Sequence, residues 1–355
     1  VGSSSSGPLP PPPAGKSGWP WQEASSQPGI KREKLPRITI ITPSFNQGIY
    51  LEESIRSVLL QGYPNLEYMI FDGGSSDDSV RIIQKYAPWL SFWVSEPDRG
   101  QAHAINRGFE RASGNIVAWL NSDDLLLPGA LMRIAEAHRR QPHAIILGDV
   151  ENFCMGDHVQ ANITHQHNVT LRHLLTPCKS CVRFRYLQVS EYADWRWHQP
   201  GTFVPHGALL EAGPLDESLH YAFDKDWIFR LLQLAPVHYL RHPVSRFRIH
   251  DAQKTSADFA EFVRESYVVN RRYMHLVPDA EHHYLEGLYN FRLATIYLVQ
   301  HADYAHCWNR WRGMQALFSA VVHYPKILCE PVFQRLCLRV LLPRVLWRSP
   351  TGSRV

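Results

Sequence analysis

A chain of 355 residues, 45% of them hydrophobic and 12% aromatic, carries enough apolar side chain for one large core and a smaller attachment, which excludes a disordered protein. Its 37 basic and 33 acidic residues leave a formal charge of only +4 with both signs interspersed, so no single-sign field of the kind that grips a nucleic acid is present. No apolar run reaches the roughly 20 residues of a membrane-spanning helix, and six cysteines without a charged, apolar-cored leader predict a reducing, cytoplasmic setting.

In chain order, residues 1–35 come first; the Ser-, Gly- and Pro-rich stretch "VGSSSSGPLPPPPAGKSG" has almost nothing to bury and reads as a disordered tail. From Arg37 short apolar runs alternate with amphipathic stretches: "RITIIT", "YLEESIRSVLLQG", "LEYMIFD", "SDDSVRIIQKYA", "SFWVSE", "GQAHAINRGFERASG", "NIVAWL", "GALMRIAEAHRR". Ile38, Ile40 and Ile41, like Ile116, Val117 and Ala118, form nearly continuous runs, as strands covered on both faces do. Ala102, Ile105, Phe109 and Ala112 recur three or four apart and predict a buried helical stripe, with Gly114 as its C-cap. This alternation predicts an α/β domain over residues 36–255 with a mostly parallel central sheet flanked by helices, and a ligand edge at the carboxyl ends of its strands.

Three polar loops fall on that edge: Thr42-Pro43-Ser44-Phe45-Asn46, Asp72-Gly73-Gly74-Ser75-Ser76-Asp77 and Asn121-Ser122-Asp123-Asp124. The paired glycines allow a tight turn and a close backbone approach to a ligand, while Ser75 and Asp77 read equally as helix caps. Asp123 and Asp124, directly after an apolar strand, suit a hard divalent cation shared with substrate phosphates, or a cap for the helix near Pro128. Further on, "FDKDW" sets Asp224 and Asp226 at a helix start, where a carboxylate serves either as a general base or as a complement to the helix dipole. Arg246, Arg248, His250 and Lys254 have the chemistry of anion binding or of a metal ligand, against the alternative of a solvated basic loop. In "WRWHQPGTFVPHGAL", Trp195 and Trp197 beside His198 and Gln199 suit a sugar ring or a buried tryptophan pair.

Two lesser motifs complete this region: Cys178-Lys-Ser-Cys181 has metal-knuckle spacing but no second pair, and the acceptor sequons at Asn162 and Asn168 matter only in a secreted chain. Residues 256–355 read as helices. The last of them, "FQRLCLRVLLPRVLW", interleaves Arg335, Arg339, Arg344 and Arg348 with apolar residues and fits either an anionic bilayer or a helix packed on the protein with its arginines in water.

Taken together, "TIITPSFNQGIYLEESIRSVLLQGYPNLEYMIFDGGSSDDS", "SEPDRGQAHAINRGFERASGNIVAWLNSDDLLLPGAL" and "GPLDESLHYAFDKDWIFRLL" resemble the inverting, nucleotide-sugar-dependent family 2 glycosyltransferases of bacterial type over roughly residues 36–255. The resemblance implies a GT-A nucleotide-binding fold with a helical C-terminal extension. It implies a nucleotide-sugar donor held by Thr42, Pro43, Ser44, Asp72, Arg99, Asn106 and Ser122, and a divalent cation, Mn2+ or Mg2+, at Asp123 and His250. Asp224 takes the place of the catalytic base, and Trp197, His198 and Gln199 face the acceptor. A glycan or lipid-linked acceptor, a role in surface polysaccharide synthesis and a peripheral position on the inner face of the membrane through the C-terminal basic helix belong to the same implication. One departure stands out: Asn121 occupies a position that is commonly aspartate in relatives. It keeps open a catalytically impaired binding protein; a nucleotidyltransferase is the other rival, though "TPSFNQG" lacks the basic residue of a phosphate loop.

Overall fold

The computed structural model describes residues 7–22, 35–154, 162–166, 169, 174, 197–250, 252–254, 259–300, 307–329, 333–334 and 337. The chain divides into two compact units, Val1–Thr170 with Arg196–Ala257, and Leu171–Trp195 with Asp258–Val355.

In the first unit, β1 (Ile38–Ser44), β2 (Leu66–Asp72), β3 (Phe92–Ser95) and β4 (Ile116–Trp119) form a parallel block in the order β3-β2-β1-β4. The intervening helices are α1 (Gly48–Leu59), α2 (Ser79–Tyr86) and α3 (Gln101–Arg111). β4 then pairs antiparallel with β8 (Thr202–Pro205), and β8 antiparallel with β6 (Ile145–Cys154). β6 runs parallel to β9 (Val237–Ile249), on which the short β5 (Leu125–Leu126) pairs antiparallel. With β7 (Asn162–Thr164) beside β6, the sheet has nine strands among the described residues. Three further helices, α4 (Ala130–Arg140), α5 (His206–Ala212) and α6 (Phe223–Leu234), complete this unit's α-helices among the described residues, and short 3-10 turns lie at Ala87–Trp89 and Gln199–Gly201. The mixed α/β architecture expected from the alternating pattern is therefore present, with antiparallel strands beyond β4.

Burial explains the elements. Every residue of β1 is buried, as a strand covered on both faces requires. The expected stripe on α3 is buried too, and Gly108 brings the helix so close to β1 that a Cβ there would lie 2.5 Å from Ile41 Cγ2. Gly114 does not cap α3, whose C-cap is Ala112; instead its N–H donates to Thr39 Oγ1 at 2.9 Å, where an added side chain would collide.

Residues 7–22 also depart from expectation: over this span the proline-rich tail is seated on the domain. The buried Arg56 guanidinium donates to the carbonyls of Pro10, Pro20 and Trp21 and to Tyr86 Oη, while Trp19 Nε1 donates to the Leu126 carbonyl at 2.8 Å. Composition missed this because a buried arginine needs acceptors, and a proline-rich segment offers carbonyls unspent on secondary structure.

The second unit contains α7 (Phe259–Arg272), α8 (Asp279–Thr295), which continues as a π-helical turn over Ile296–Gln300, and α9 (Cys307–His323). Phe291, Ala294, Ala316, Ala320, Ile327 and Phe333 form its core, and Gly287 lets α8 approach Tyr324. Among the described residues no helix is long and apolar enough to cross a membrane. Cys178, Cys181 and the basic segment carrying Arg335, Arg339, Arg344 and Arg348 lie outside the described residues.

Candidate active site

The candidate site forms at the carboxyl ends of β1, β2 and β4, where β9 and the start of α6 come alongside. At the end of β1, Thr42 Oγ1 lies 3.1 Å from Tyr68 Oη, and the buried Ser44 Oγ has no protein partner. Asp72, ending β2, shapes the glycine loop: Oδ2 accepts from the Gly74 and Ser75 N–H groups and from Ser95 Oγ, and Oδ1 accepts from Ser75 Oγ at 2.6 Å. Gly74 takes a φ of +83°, which a side chain would strain. Asp77 accepts from Gly48 N at 2.8 Å and Ser79 N at 3.0 Å, so it ties together the starts of α1 and α2.

After β4 the acidic turn separates into two jobs. Asp124 is fully buried and accepts from Arg248 N at 3.0 Å and Asn121 Nδ2 at 3.2 Å; burial first, then its neighbour Asp123, holds its carboxyl well above the usual range. It fastens the turn to β9. Asp123 instead points Oδ2 at His250 Nε2, 3.1 Å away, while its carbonyl accepts from Arg248 Nε at 2.8 Å. His250 rests against Tyr50 with ring centroids 4.6 Å apart, and its Nδ1 is buried without a partner. Ser122 is buried between the two functional neighbours in sequence, Asn121 and Asp123.

Asn121 uses both ends of its amide. Its Oδ1 accepts from Gln101 Nε2 at 2.9 Å while Nδ2 donates to Asp124, a combination that a carboxylate cannot make.

The basic cluster expected near His250 is divided. Arg248, its side chain 2% exposed, pairs with Glu53 at 2.6 Å and lies between the rings of Tyr50 and Phe153. Arg246 pairs with Glu151 at 2.8 Å, and Lys254 lies over the rings of Tyr221 and Phe223. A buried arginine that is fully engaged serves as a clamp between β9, α1 and the acidic turn.

Asp224 and Asp226 occupy the first turn of α6. Asp226 is paired with Arg230 at 3.0 Å, one helical turn on. Asp224 accepts from its neighbour Lys225 N at 2.7 Å, and burial pushes its carboxyl up to about 6 against the opposing pull of Lys225 and Lys254. A carboxyl poised there accepts a proton near neutral pH.

Other expected residues are engaged as follows. Arg99 pairs with Glu217 at 2.8 Å, and Asn106 exchanges hydrogen bonds with the Leu215 backbone and donates to Glu217 Oε1 at 3.1 Å. Together they clasp α3 to the segment that leads into α6. Trp197 is buried and donates Nε1 to Thr202 Oγ1 at 2.9 Å, and His198, also buried, meets Phe247 edge-on, so the aromatic faces expected at the acceptor are packed inside. Gln199 Nε2 donates to the Trp119 carbonyl at 2.8 Å, leaving a buried Oε1 without a partner. Tyr50, Glu53, Gln101 and Glu217 escaped the sequence reading because nothing in their local pattern distinguishes them from helix and loop surface. Trp227, on the buried face of α6, stacks on Phe109 and tilts against Trp119, and could have been found from its place after the Asp224 turn.

The donor set at Asp123 and His250 fits a divalent cation. Its 3.1 Å separation is close to the edge of an octahedron with bonds of about 2.1 Å, and a carboxylate with an imidazole suits a first-row metal ion. Among the described residues no group of three or more His, Cys, Asp or Glu side chains could hold a metal. A hard divalent ion held by such a pair commonly completes its shell with substrate phosphate oxygens and water.

Comparison with known proteins bears on the whole arrangement. Residues 39–212 match the profile described as Glycosyl transferase family 2. The chain is 26% identical over 222 residues to an uncharacterized glycosyltransferase of Rickettsia typhi, an alignment that covers 62% of this chain and 66% of that protein. Over 106 residues it is 33% identical to the GalNAc(5)-diNAcBac-PP-undecaprenol beta-1,3-glucosyltransferase of Campylobacter jejuni, covering 29% of this chain and 34% of that protein. The chain thus spans about two thirds of the rickettsial relative and about one third of the Campylobacter one. The crystal structure of S. aureus TarS 1–349 in complex with UDP-GlcNAc is similar with a TM-score of 0.55 at 17% identity, over 86% of this chain and 88% of that one. At that identity the likeness establishes a common fold.

Proposed function

Because this chain belongs to glycosyl transferase family 2 and has the GT-A fold, we propose that it transfers a sugar, with inversion, from a nucleotide diphosphate sugar to an acceptor hydroxyl. The observation that carries this reading is the pairing of two kinds of acid on one sheet edge: Asp123 against His250, suited to a cation, and Asp224, half-buried and raised to about 6, suited to a proton.

In this reading the donor lies across the ends of β1, β2 and β4. Thr42, Pro43, Ser44 and Asp72 receive the nucleoside, with the unsatisfied Ser44 Oγ as a buried hydrogen-bonding group waiting for a partner. Ser122 lies with them on the donor side, and Arg99 and Asn106 support it by holding the α3 edge. Asp123 and His250 hold Mn2+ or Mg2+, which when bound neutralises charge on the leaving diphosphate. Asp224 accepts the proton of the acceptor hydroxyl as its oxygen bonds to the anomeric carbon. The bond to the diphosphate oxygen breaks with its electron pair leaving on that oxygen, and a single displacement from the opposite face inverts the centre. Gln199, with its buried free acceptor atom, is the residue of the Trp197-His198-Gln199 stretch best suited to orient an acceptor.

The Campylobacter relative's name describes an undecaprenol diphosphate-linked acceptor, which supports a lipid-linked glycan here and a place at the inner face of the membrane in envelope polysaccharide synthesis. The TarS complex supports testing UDP-sugars first.

A panel of UDP-, GDP- and dTDP-sugars, with and without Mn2+ or Mg2+, assayed for nucleotide diphosphate release, tests the proposal. Wild type should turn over one donor class in a metal-dependent way, and Asp224→Asn should lose about 10²–10⁴-fold in kcat. Donor binding without turnover under every condition would sink the transferase reading and favour a binding protein.

A further inference from the structure

Three helices of the second unit converge on an open groove of about 430 Å3, in the lower part of the roughly 300–1,000 Å3 range of small-molecule sites. Its lining includes Tyr267 and Arg271 from α7, His283, Glu286 and Asn290 from α8, and His323 from α9. Glu286, its side chain 17% exposed, has Arg271 Nε as its ion-pair partner at 3.4 Å, which is long for a hydrogen bond. Burial pushes this carboxyl up, and His323 acts against the rise. His323 Nδ1 lies 2.8 Å from the Ser319 carbonyl, which can only accept, so a neutral ring carries its proton there and keeps Nε2 as an acceptor. His283 lies beside it with ring centroids 6.1 Å apart. Tyr267 adds an aromatic wall, braced by the buried Tyr289 at 4.3 Å between centroids.

We infer that this groove binds a neutral saccharide. An anion would meet the Glu286 carboxylate as well as the Arg271 guanidinium, and among the described residues no three His, Cys, Asp or Glu side chains gather as a metal ion requires. An apolar ligand would take water from both charged groups and return no hydrogen bond. A sugar hydroxyl donates and accepts at once. Neighbouring hydroxyls can therefore donate to Glu286 and to His323 Nε2 while accepting from Arg271 and Asn290. The charges of Arg271 and Glu286 offset each other, which suits an uncharged ligand, and the C–H face of a sugar ring suits Tyr267. The groove lies within the second unit, whereas every residue of the proposed sugar-transfer site lies in the first, so the two readings stand or fall separately.

The test is calorimetric titration of the full chain with the methyl glycosides of glucose, N-acetylglucosamine and N-acetylgalactosamine, with inorganic phosphate and Zn2+ titrated in parallel. No nucleotide sugar is present, so the outcome does not depend on whether the chain transfers sugar. At least one glycoside should bind saturably. Glu286→Gln should weaken that binding at least about tenfold, because a hydrogen bond to a charged group is lost, and Asn290→Ala about fivefold. Glu286→Gln keeps the side chain's shape, and circular dichroism of both variants should match wild type. Absence of saturable binding by all three glycosides overturns the inference, as does binding that both variants leave unchanged. Saturable phosphate binding abolished by Arg271→Gln, with no glycoside bound, overturns it in favour of an anion site. Zn2+ binding abolished by His283→Ala, again with no glycoside bound, overturns it in favour of a metal site.

Discussion

Two side chains define what single residues contribute. Asp224 acts as a base only when deprotonated, so kcat/KM should rise with pH through about 6 and level off above it. Lys254 helps to pull that carboxyl down; Lys254→Met should therefore move the acidic limb to higher pH, which a pH–rate profile of both proteins checks. Asn121 makes the opposite kind of point. The sequence marks it as a departure from an acidic position, yet its amide accepts from Gln101 and donates to Asp124 at the same time. Asn121→Asp should not repair the site; it removes a donor to a buried carboxylate and should cost about 1–3 kcal/mol of stability in urea unfolding. The residue type was legible in the sequence and its two partners were not, because Gln101 lies 20 positions away on another element.

At the scale of elements, the β/α alternation was readable because a strand buried on both faces and a helix buried along one stripe leave different periods in the sequence. What joins the elements was not. Glu67, on β2, accepts from Thr39 Oγ1, Ser113 N, Ser113 Oγ and Arg37 Nη2, linking β1, β2 and the turn after α3. Burial acts to raise its pKa, but those hydrogen bonds and Arg37 outweigh it and hold the carboxyl below its ordinary value. A carboxyl lowered in the folded state contributes stability that is present above its unfolded pKa and is lost as pH falls through the folded value. Unfolding midpoints of wild type should therefore decline on acidification over that range, and those of Glu67→Gln should decline less, from a lower starting point. The same limit applies to residues 7–22: composition reports that a segment cannot form its own core, and says nothing of carbonyls wanted by a buried arginine on α1.

For the whole molecule, the division into two units means that separate cores carry the sheet domain and the helices after it. Phe291→Ala in the helical core should cost about 3–5 kcal/mol locally, while nucleotide-sugar affinity at the sheet edge should stay within about twofold of wild type. Calorimetric unfolding together with donor titration checks both parts. By itself the sequence determined the α/β class and the polar strand ends, since these depend on local period and on residue types at the ends of apolar runs, whereas Asp123, Asp224 and His250 were legible in it only as candidates, their roles implied by the family resemblance. Only the tertiary structure decided that Asp124 and Arg248 serve as fasteners, that Trp197 and His198 are packed inside, and that Asp123 meets His250. Each of those outcomes rests on contacts between residues far apart in the chain, and burial and pairing at such distances are fixed by how the elements pack, which no local pattern encodes.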